Sequence, residues 1–451
     1  MILKGRIFHF VDDGRKENPE NSFEYFEMGG LVVCGEKIVD IGDFNKIIAK
    51  YSDHDVIDHK NNLIFPGFID LHNHFPQVQV ISSYGTQLLE WLNKYTFPEE
   101  AKFISEDYSK QQAKKFLELL ITNGTTTSVS FCSVHKESVN ALFQEASKKN
   151  MCMIAGKVMM DRNAPENLLD TPQSSYEDSQ ALISKWHKKN RNFYAITPRF
   201  AITSSPEQLK LAGELVENNP SCYIQTHLSE NRDEIEYTLS LYPNYRHYLD
   251  IYLQNGIVNN RSLLGHSIHL SGDEISIFEQ SQAVAVHCPT SNLFLGSGLF
   301  PLKELNNSNV RLGISTDVGG GTSYSMLNNL DAAYKIQQFR NFSLNPKFSF
   351  YWATLGNAKS LGLENQIGSF KIGTFADIVV LDSLSNMVSR IRMETCESLD
   401  EELFVLQTLG GVQSIKSVYI AGNSFFKASI SLRVRLLTEL FPIETPLLLE
   451  L

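Results

Sequence analysis

The chain has no surplus of positive charge: 40 Lys and Arg stand against 51 Asp and Glu in 451 residues, a formal net charge of −11. That balance argues against binding to nucleic acid or to an anionic membrane, since both draw on concentrated basic surface. No apolar run approaches the roughly 18 residues of a membrane span. The opening residues, Met1-Ile-Leu-Lys-Gly-Arg-Ile-Phe-His-Phe10, lack the apolar core of a secretory signal. None of the six cysteines (Cys34, Cys132, Cys152, Cys222, Cys288 and Cys396) belongs to a Cys-x-x-Cys pair, and several sit inside apolar runs such as Met151-Cys-Met-Ile-Ala155. Buried free thiols are the reading there, and a reduced, soluble, cytoplasmic protein is the expectation. There is no low-complexity tract, and 42% hydrophobic with 20% charged residues is ordinary globular composition.

What the chain does have is alternation. Short apolar runs at Leu63–His74, Thr126–Phe131, Met151–Met160, Phe193–Phe200, Ser221–Leu228, Ser262–Leu270, Ala283–Cys288 and Val310–Asp317 are separated by helix-like stretches. The helical patterns include Tyr108–Thr122, Ser138–Lys149, Ser179–Lys189 and Ser205–Glu217, the last opening on a serine cap followed by proline. Eight strands alternating with helices predict an α/β fold of the (β/α)₈ TIM-barrel type, with its active site at the C-terminal strand ends. A doubly wound open sheet is the alternative, but no Gly-x-Gly-x-x-Gly follows the first strand. Residues 1–65 and 366–451 read as short strands broken by turns, flanking a barrel over 66–365. Neither flank suffices alone, so the two chain ends are expected to combine into one small β-sandwich domain. Residues 385–415 read as an insertion of mixed or helical character.

The chemistry-bearing residues recur where these strands end. The first closes on His72-Asn-His74; residues two apart on a strand share a face, so both imidazoles can reach one divalent transition ion, zinc first. The fifth run ends on His227 with Glu230 three residues on, the sixth on His266, and the eighth on Asp317 before three glycines. Three neutral imidazoles and a carboxylate, with one position left for water, describe a catalytic rather than a closed structural metal site.

On these residues the chain resembles the amidohydrolase superfamily and, within it, the guanine-deaminating branch. The resemblance runs through nearly the whole barrel. Its specific segments are Pro66-Gly-Phe-Ile-Asp-Leu-His-Asn-His-Phe-Pro-Gln77, Glu90-Trp-Leu-Asn-Lys-Tyr-Thr-Phe-Pro98 and Gly124-Thr-Thr-Thr127, then Gly156-Lys-Val-Met-Met-Asp-Arg-Asn-Ala-Pro165, Thr197-Pro-Arg-Phe200, Gln225-Thr-His-Leu-Ser-Glu230 and Thr316-Asp-Val-Gly-Gly-Gly321. It implies one zinc per subunit, or Fe²⁺ in its place, held by His72, His74, His227 and Asp317, with His266 beside the attacking water. It further implies deamination of guanine to xanthine, Glu230 shuttling the proton, and a homodimer. Arg199 then offers a donor fork for the purine carbonyl, Phe200 a wall for the ring, and Gln77 an amide for the heterocycle edge. His74, His227, Glu230 and Asp317 border the same substrate. The stretch Val78–Tyr84 is less familiar and leaves the pocket wall there open.

Other histidines are set aside. His135-Lys-Glu137 imitates the other zinc deaminase class, but the Pro-Cys-x-x-Cys that class requires is missing. His269 reads as structural, and His187 and His247 as solvated. His287-Cys288 either lines the site or packs without ligating, and Trp91 and Phe97 belong either to a loop over the pocket or to plain helix packing. The rival functions are a related aminohydrolase acting on 8-oxoguanine, a pterin, an adenine-type base or a triazine, and a catalytically dead barrel serving as a scaffold.

Overall fold

A strand that is polar on one face can border solvent, whereas one that is apolar throughout must be covered on both sides. Both kinds occur here, in a computed structural model that describes residues 1–15, 21–84 and 88–428. Residues 85–87 of the pocket-wall segment, and 429–451 of the C-terminal β-region, lie outside the described residues.

The chain opens with β1 (Ile2–Phe10), β2 (Phe23–Cys34), β3 (Lys37–Asp43) and β4 (Val56–Pro66), of which β2 and β4 border solvent over their first halves. The run expected as a single strand over Leu63–His74 is two, because Gly67 turns the chain; a side chain there would collide with Thr126. Beyond it lie β5 (Phe68–His74), β6 (Thr125–Phe131), β7 (Cys152–Gly156), the two-residue β8 (Val158–Met159), β9 (Asn192–Pro198), β10 (Tyr223–Leu228), β11 (Ser262–His266), β12 (Val284–His287) and β13 (Arg311–Ile314). These are buried along nearly their whole length. They pair in parallel in the order β5-β6-β7-β9-β10-β11-β12-β13, with β8 a short extension beside β9. The last strand returns to the first: Asp317 N–H donates to His72 O at 2.8 Å, and His74 N–H donates to Val318 O at 2.6 Å. Buried Asp70 adds two more links, accepting Thr316 N–H at 3.0 Å and the Thr316 hydroxyl at 2.5 Å. The barrel expected from the strand count is therefore present and nearly closed.

Helices cover its outside. Pro206–Asn218 starts at Ser205, whose hydroxyl accepts the Gln208 N–H, as the serine-proline pair predicts. Glu106–Thr122 buries Ala113, Phe116, Leu117 and Leu120 against the barrel.

The chain ends meet as expected, though as one continuous hydrogen-bonded sheet rather than two separately paired ones. Three late strands, β14 (Ile378–Leu381), β15 (Ile415–Ile420) and β16 (Asn423–Lys427), join the first four in the order β16-β15-β14-β4-β1-β2-β3. Only β1 and β4 run parallel; the other neighbours are antiparallel. Residues 385–415 form two helices, Met387–Met393 and Leu399–Leu409, and the second sends Leu403 and Leu406 into the main core.

A buried ion pair ties the two units together. Arg191, just before β9, donates to Asp377 Oδ1 at 3.0 Å and to Asn150 O at 2.9 Å. Asp377 also receives the N–H of Ala421 on its carboxylate and that of Gly67 on its carbonyl, each at 2.9 Å. Removing one partner of such a pair leaves a buried charge unmatched, which costs about 3–5 kcal/mol. Asp377→Ala should therefore lower unfolding stability by about that much in urea titrations, while the folded fraction keeps its metal-binding capacity; an unchanged urea midpoint would contradict the pair's role.

Candidate active site

The period of two along β5 aims His72 and His74 at one point, their ring centroids 5.2 Å apart. His227, at the end of β10, brings its ring centroid to 4.9 Å from His72 and 5.1 Å from His74. Its Nδ1 lies 2.7 Å from Arg199 O. A carbonyl only accepts, so the proton sits on Nδ1 and Nε2 keeps its lone pair. That lone pair faces His74 Nε2 at 3.2 Å, while His72 Nε2 and His74 Nε2 each lie 3.3 Å from Asp317 Oδ1.

All four side chains are buried, and His72 Nε2 and His74 Nδ1 have no hydrogen-bond partner. Burial first, then the neighbouring imidazoles, holds His227 well below the usual histidine range; burial likewise brings His74 down to about 4. Asp317 is held well below the usual carboxylate range: burial opposes this, but contacts with His72 and His74 outweigh it. Three buried imidazoles converging on one carboxylate, two of them with a ring nitrogen left unpaired, are the donor set of a transition-metal ion, and the residues fit one. The ligand atoms of His72, His74 and His227 lie within 4.8 Å of one another, as do those of His72, His266, Cys288 and Asp317.

Local backbone makes room for this convergence. Gly265 is one such position: a Cβ there would stand 2.6 Å from the His72 ring. Ser229, His266 and Asp317 have φ of 49°, 66° and 49°, so three strand ends break into the left-handed region where the functional side chains leave the sheet. Non-glycine residues hold that conformation at a cost, and such positions concentrate at functional sites.

Beyond the donors lies acid–base machinery. His266 Nδ1 is 2.9 Å from Asn292 Oδ1, which accepts, so Nε2 is directed at Glu230 Oε2 (3.4 Å) and Asp317 Oδ2 (3.6 Å). Burial, and after it the Asp317 charge, pushes Glu230 up to about 8, despite a 2.8 Å hydrogen bond from the Ser297 hydroxyl. A carboxyl group so shifted can carry and release a proton near neutral pH.

The other wall is built for a flat ring. Gln77, Arg199 and Phe200 are all buried and border a cavity that also reaches His227, His266 and Asp317. Trp91 and Leu92 line it too, so the Glu90–Pro98 segment is a helical cover over the pocket rather than remote packing. The Met160–Pro165 segment braces the Arg199 loop from behind: Asp161 accepts Ser205 N–H at 2.7 Å, and Asn163 donates to Ile202 O at 2.7 Å.

The structure thus brings together every site residue expected from the sequence. It corrects two side readings, decides a third and agrees with a fourth. His187 and His247 are partly buried and engaged rather than solvated: Tyr194 N–H donates to His187 Nδ1, and His247 caps the helix Tyr248–Gln254. His287 stacks on Phe300 at 4.4 Å and reaches the site only through Asn292; burial takes it down to about 3. The Cys288 thiol is held well above its usual range by burial, which favours the protonated, weakly ligating form. His269 is structural, 2.8 Å from the carbonyl of Ser297, the residue that holds Glu230.

Three contributors escaped the sequence reading: Asn292, Ser297 and Glu100. Glu100 is 1% exposed and accepts from Gln77 Nε2 at 2.9 Å and Arg199 Nη1 at 2.6 Å. Its only signal was a position two residues after the Phe97-Pro98 pair of a segment already singled out.

Gly265→Ala should displace His72. Metal affinity, measured by competition with a chromogenic chelator, is expected to fall at least tenfold, of the order seen when supporting groups around metal ligands are lost. Unchanged affinity would show that the imidazole is not confined by this backbone.

Comparison with known proteins agrees with this geometry. The sequence pattern of the amidohydrolase family matches residues 63–424. The guanine deaminase of Escherichia coli strain K12 is 44% identical over 432 residues, covering 94% of this chain and 98% of that protein. A solved structure of the E. coli guanine deaminase superposes with a TM-score of 0.91 over 95% of this chain and all (100%) of that one, at 43% identity. A guanine deaminase from C. acetobutylicum, solved with guanine in its active site, gives a TM-score of 0.85 at 32% identity, covering 94% of this chain and 99% of that one. The chain belongs to the amidohydrolase family.

Proposed function

We propose that the chain is a guanine deaminase that hydrolyses guanine to xanthine and ammonia. The observation that carries the proposal is the near-full-length likeness to guanine deaminases, at 44% identity to the E. coli protein. The pocket supports it, since Arg199 and Gln77 stand across one cavity from the buried His and Asp donors.

His72, His74, His227 and Asp317 would hold the metal. Zinc suits three imidazoles and a carboxylate, and Fe²⁺ suits the same donors. One zinc per subunit and a homodimer, both resting on the family resemblance, and a cytoplasmic setting, resting on the cysteine usage, complete the reading. When bound, such an ion would act as a Lewis acid and would lower the pKa of a bound water to about 7.

The chain's own groups do the rest. Guanine lies with its carbonyl oxygen toward Arg199, its ring against Phe200, and its heterocycle edge within reach of the Gln77 amide. C2, which carries the amino group, then faces Asp317 and His266. Water attacks C2; His266 orients it and Asp317 takes its proton. Glu230 delivers a proton to N3, so the ring does not accumulate an unsupported negative charge as C2 becomes tetrahedral. The exocyclic nitrogen takes the proton that Asp317 drew from water and leaves as ammonia; the C2–N bond breaks, and the new C2 hydroxyl returns its proton to Glu230 as it becomes the second carbonyl of xanthine. Glu230 serves both transfers because its environment holds it near the proton affinity of the operating pH.

Zinc-loaded protein incubated in turn with guanine, adenine, cytosine, a pterin and 8-oxoguanine should release ammonia fastest from guanine. An inert response to guanine with turnover of another ring would leave only the family assignment standing. Glu230→Gln should retain stoichiometric metal and lose at least about 10²-fold in kcat, the lower end for loss of a positioned proton carrier. Loss of metal along with activity would instead make Glu230 a support of the metal centre.

A further inference from the structure

A buried guanidinium is an anion site unless something balances it, because its charge is permanent and its donors are fixed in a fork. Arg199 is 2% exposed at the pocket wall, and its partner Glu100 is still more deeply buried at 1%. Glu100 divides its two oxygens. Oε2 accepts Arg199 Nη1 at 2.6 Å, and Oε1 accepts Gln77 Nε2 at 2.9 Å. Gln77 then uses its own Oε1 to accept the N–H of Gly319 at 3.3 Å, two residues past Asp317. One carboxylate on the helical cover thus joins the segment after β9, the segment after β5 and the loop after β13. The Phe97 ring, 5.4 Å from the Arg199 guanidinium, lies on the same cover.

We propose that Glu100 is the positioning and specificity-determining residue of this pocket: it holds Arg199 and Gln77 in register for the edge of a neutral heterocycle, and by balancing the guanidinium it disfavours anionic purines. The proposal rests on the purine reading of the site. Two chemical consequences follow. With its charge matched, Arg199 still offers N–H donors to a carbonyl oxygen, but the net attraction for an anion is gone. Release of product also benefits, since xanthine bears one more ring carbonyl than guanine and loses a proton more readily. The negative groups already facing the cavity, Asp317 and Glu230, work in the same direction.

Glu100→Gln keeps the shape and removes the charge, whereas Glu100→Asp keeps the charge and shortens the reach. The test is calorimetric titration of the zinc-loaded wild type and both variants with hypoxanthine, neutral near neutral pH, and with urate, an anion under the same conditions. Glu100→Gln should raise the ratio of urate affinity to hypoxanthine affinity about tenfold. Glu100→Asp should weaken both ligands together and leave the ratio within about twofold of wild type. A merely structural residue would move both affinities and not their ratio, so an unchanged ratio in Glu100→Gln overturns the proposal, as does an equal rise in both variants. Should Glu100→Gln fail to fold, as judged by circular dichroism and zinc content, Glu100→Asp decides alone: unaltered affinity for both ligands overturns it. Wild type that binds hypoxanthine but releases no ammonia from guanine would sink the substrate reading, while the ratio would still decide the role of Glu100. Wild type that binds neither purine would sink both.

Discussion

Buried imidazole nitrogens crowded against one carboxylate are the constraint on which the rest of this structure depends. His227 Nε2 and His74 Nε2 stand 3.2 Å apart, with Asp317 Oδ1 within 3.3 Å of His72 and His74. A protein interior does not favour that arrangement by itself, since buried polar groups left unpaired are costly and call for a proton or a cation. A set of backbone decisions enforces it. The Arg199 carbonyl sets the tautomer of His227, Gly265 leaves space for His72, and the return of the last barrel strand to the first brings Asp317 beside His72. The left-handed breaks at Ser229, His266 and Asp317 belong to the same design, turning strand ends into the pocket.

Around that centre the charges are arranged in two layers with different duties. The inner one, Glu230 with His266, holds the groups that we propose move protons. Its shift is upward because burial and Asp317 act together, which leaves a carboxyl able to exchange a proton near neutrality. The outer one, Glu100 with Arg199 and Gln77, is a buried charge-balanced network that we propose fixes donors for a ring edge. A single loop links the layers, because Gly319, which donates to Gln77, follows Asp317 by two residues.

How much of this was legible in the sequence depended on the range of the interaction involved. The His72–His74 pair was readable because a strand's period of two is local, and the later donors because barrel strands end where active sites lie. Gly67 was harder. The apolar run through it is continuous, and only the tertiary pairing of β4 with β14 and β5 with β6 shows that it divides two sheets. Glu100 was illegible for a related reason: its partners are 23 and 99 residues away, and an acid after a proline at a helix start normally faces water. The engaged His187 and His247 were misread as solvated because polar neighbours in sequence do not report the backbone groups that fold against them. The family-like Met160–Pro165 segment carried resemblance without a stated role; it proves to brace the Arg199 loop from behind.

The most direct test of the central claim is a metal titration of the chelator-stripped protein, following ammonia release from guanine as zinc is added back. If His72, His74, His227 and Asp317 form a single centre that the reaction requires, activity should be absent at the start. It should then rise linearly and break sharply at one equivalent per chain. Deamination by the stripped protein, or a rise that continues to two equivalents, would contradict the account.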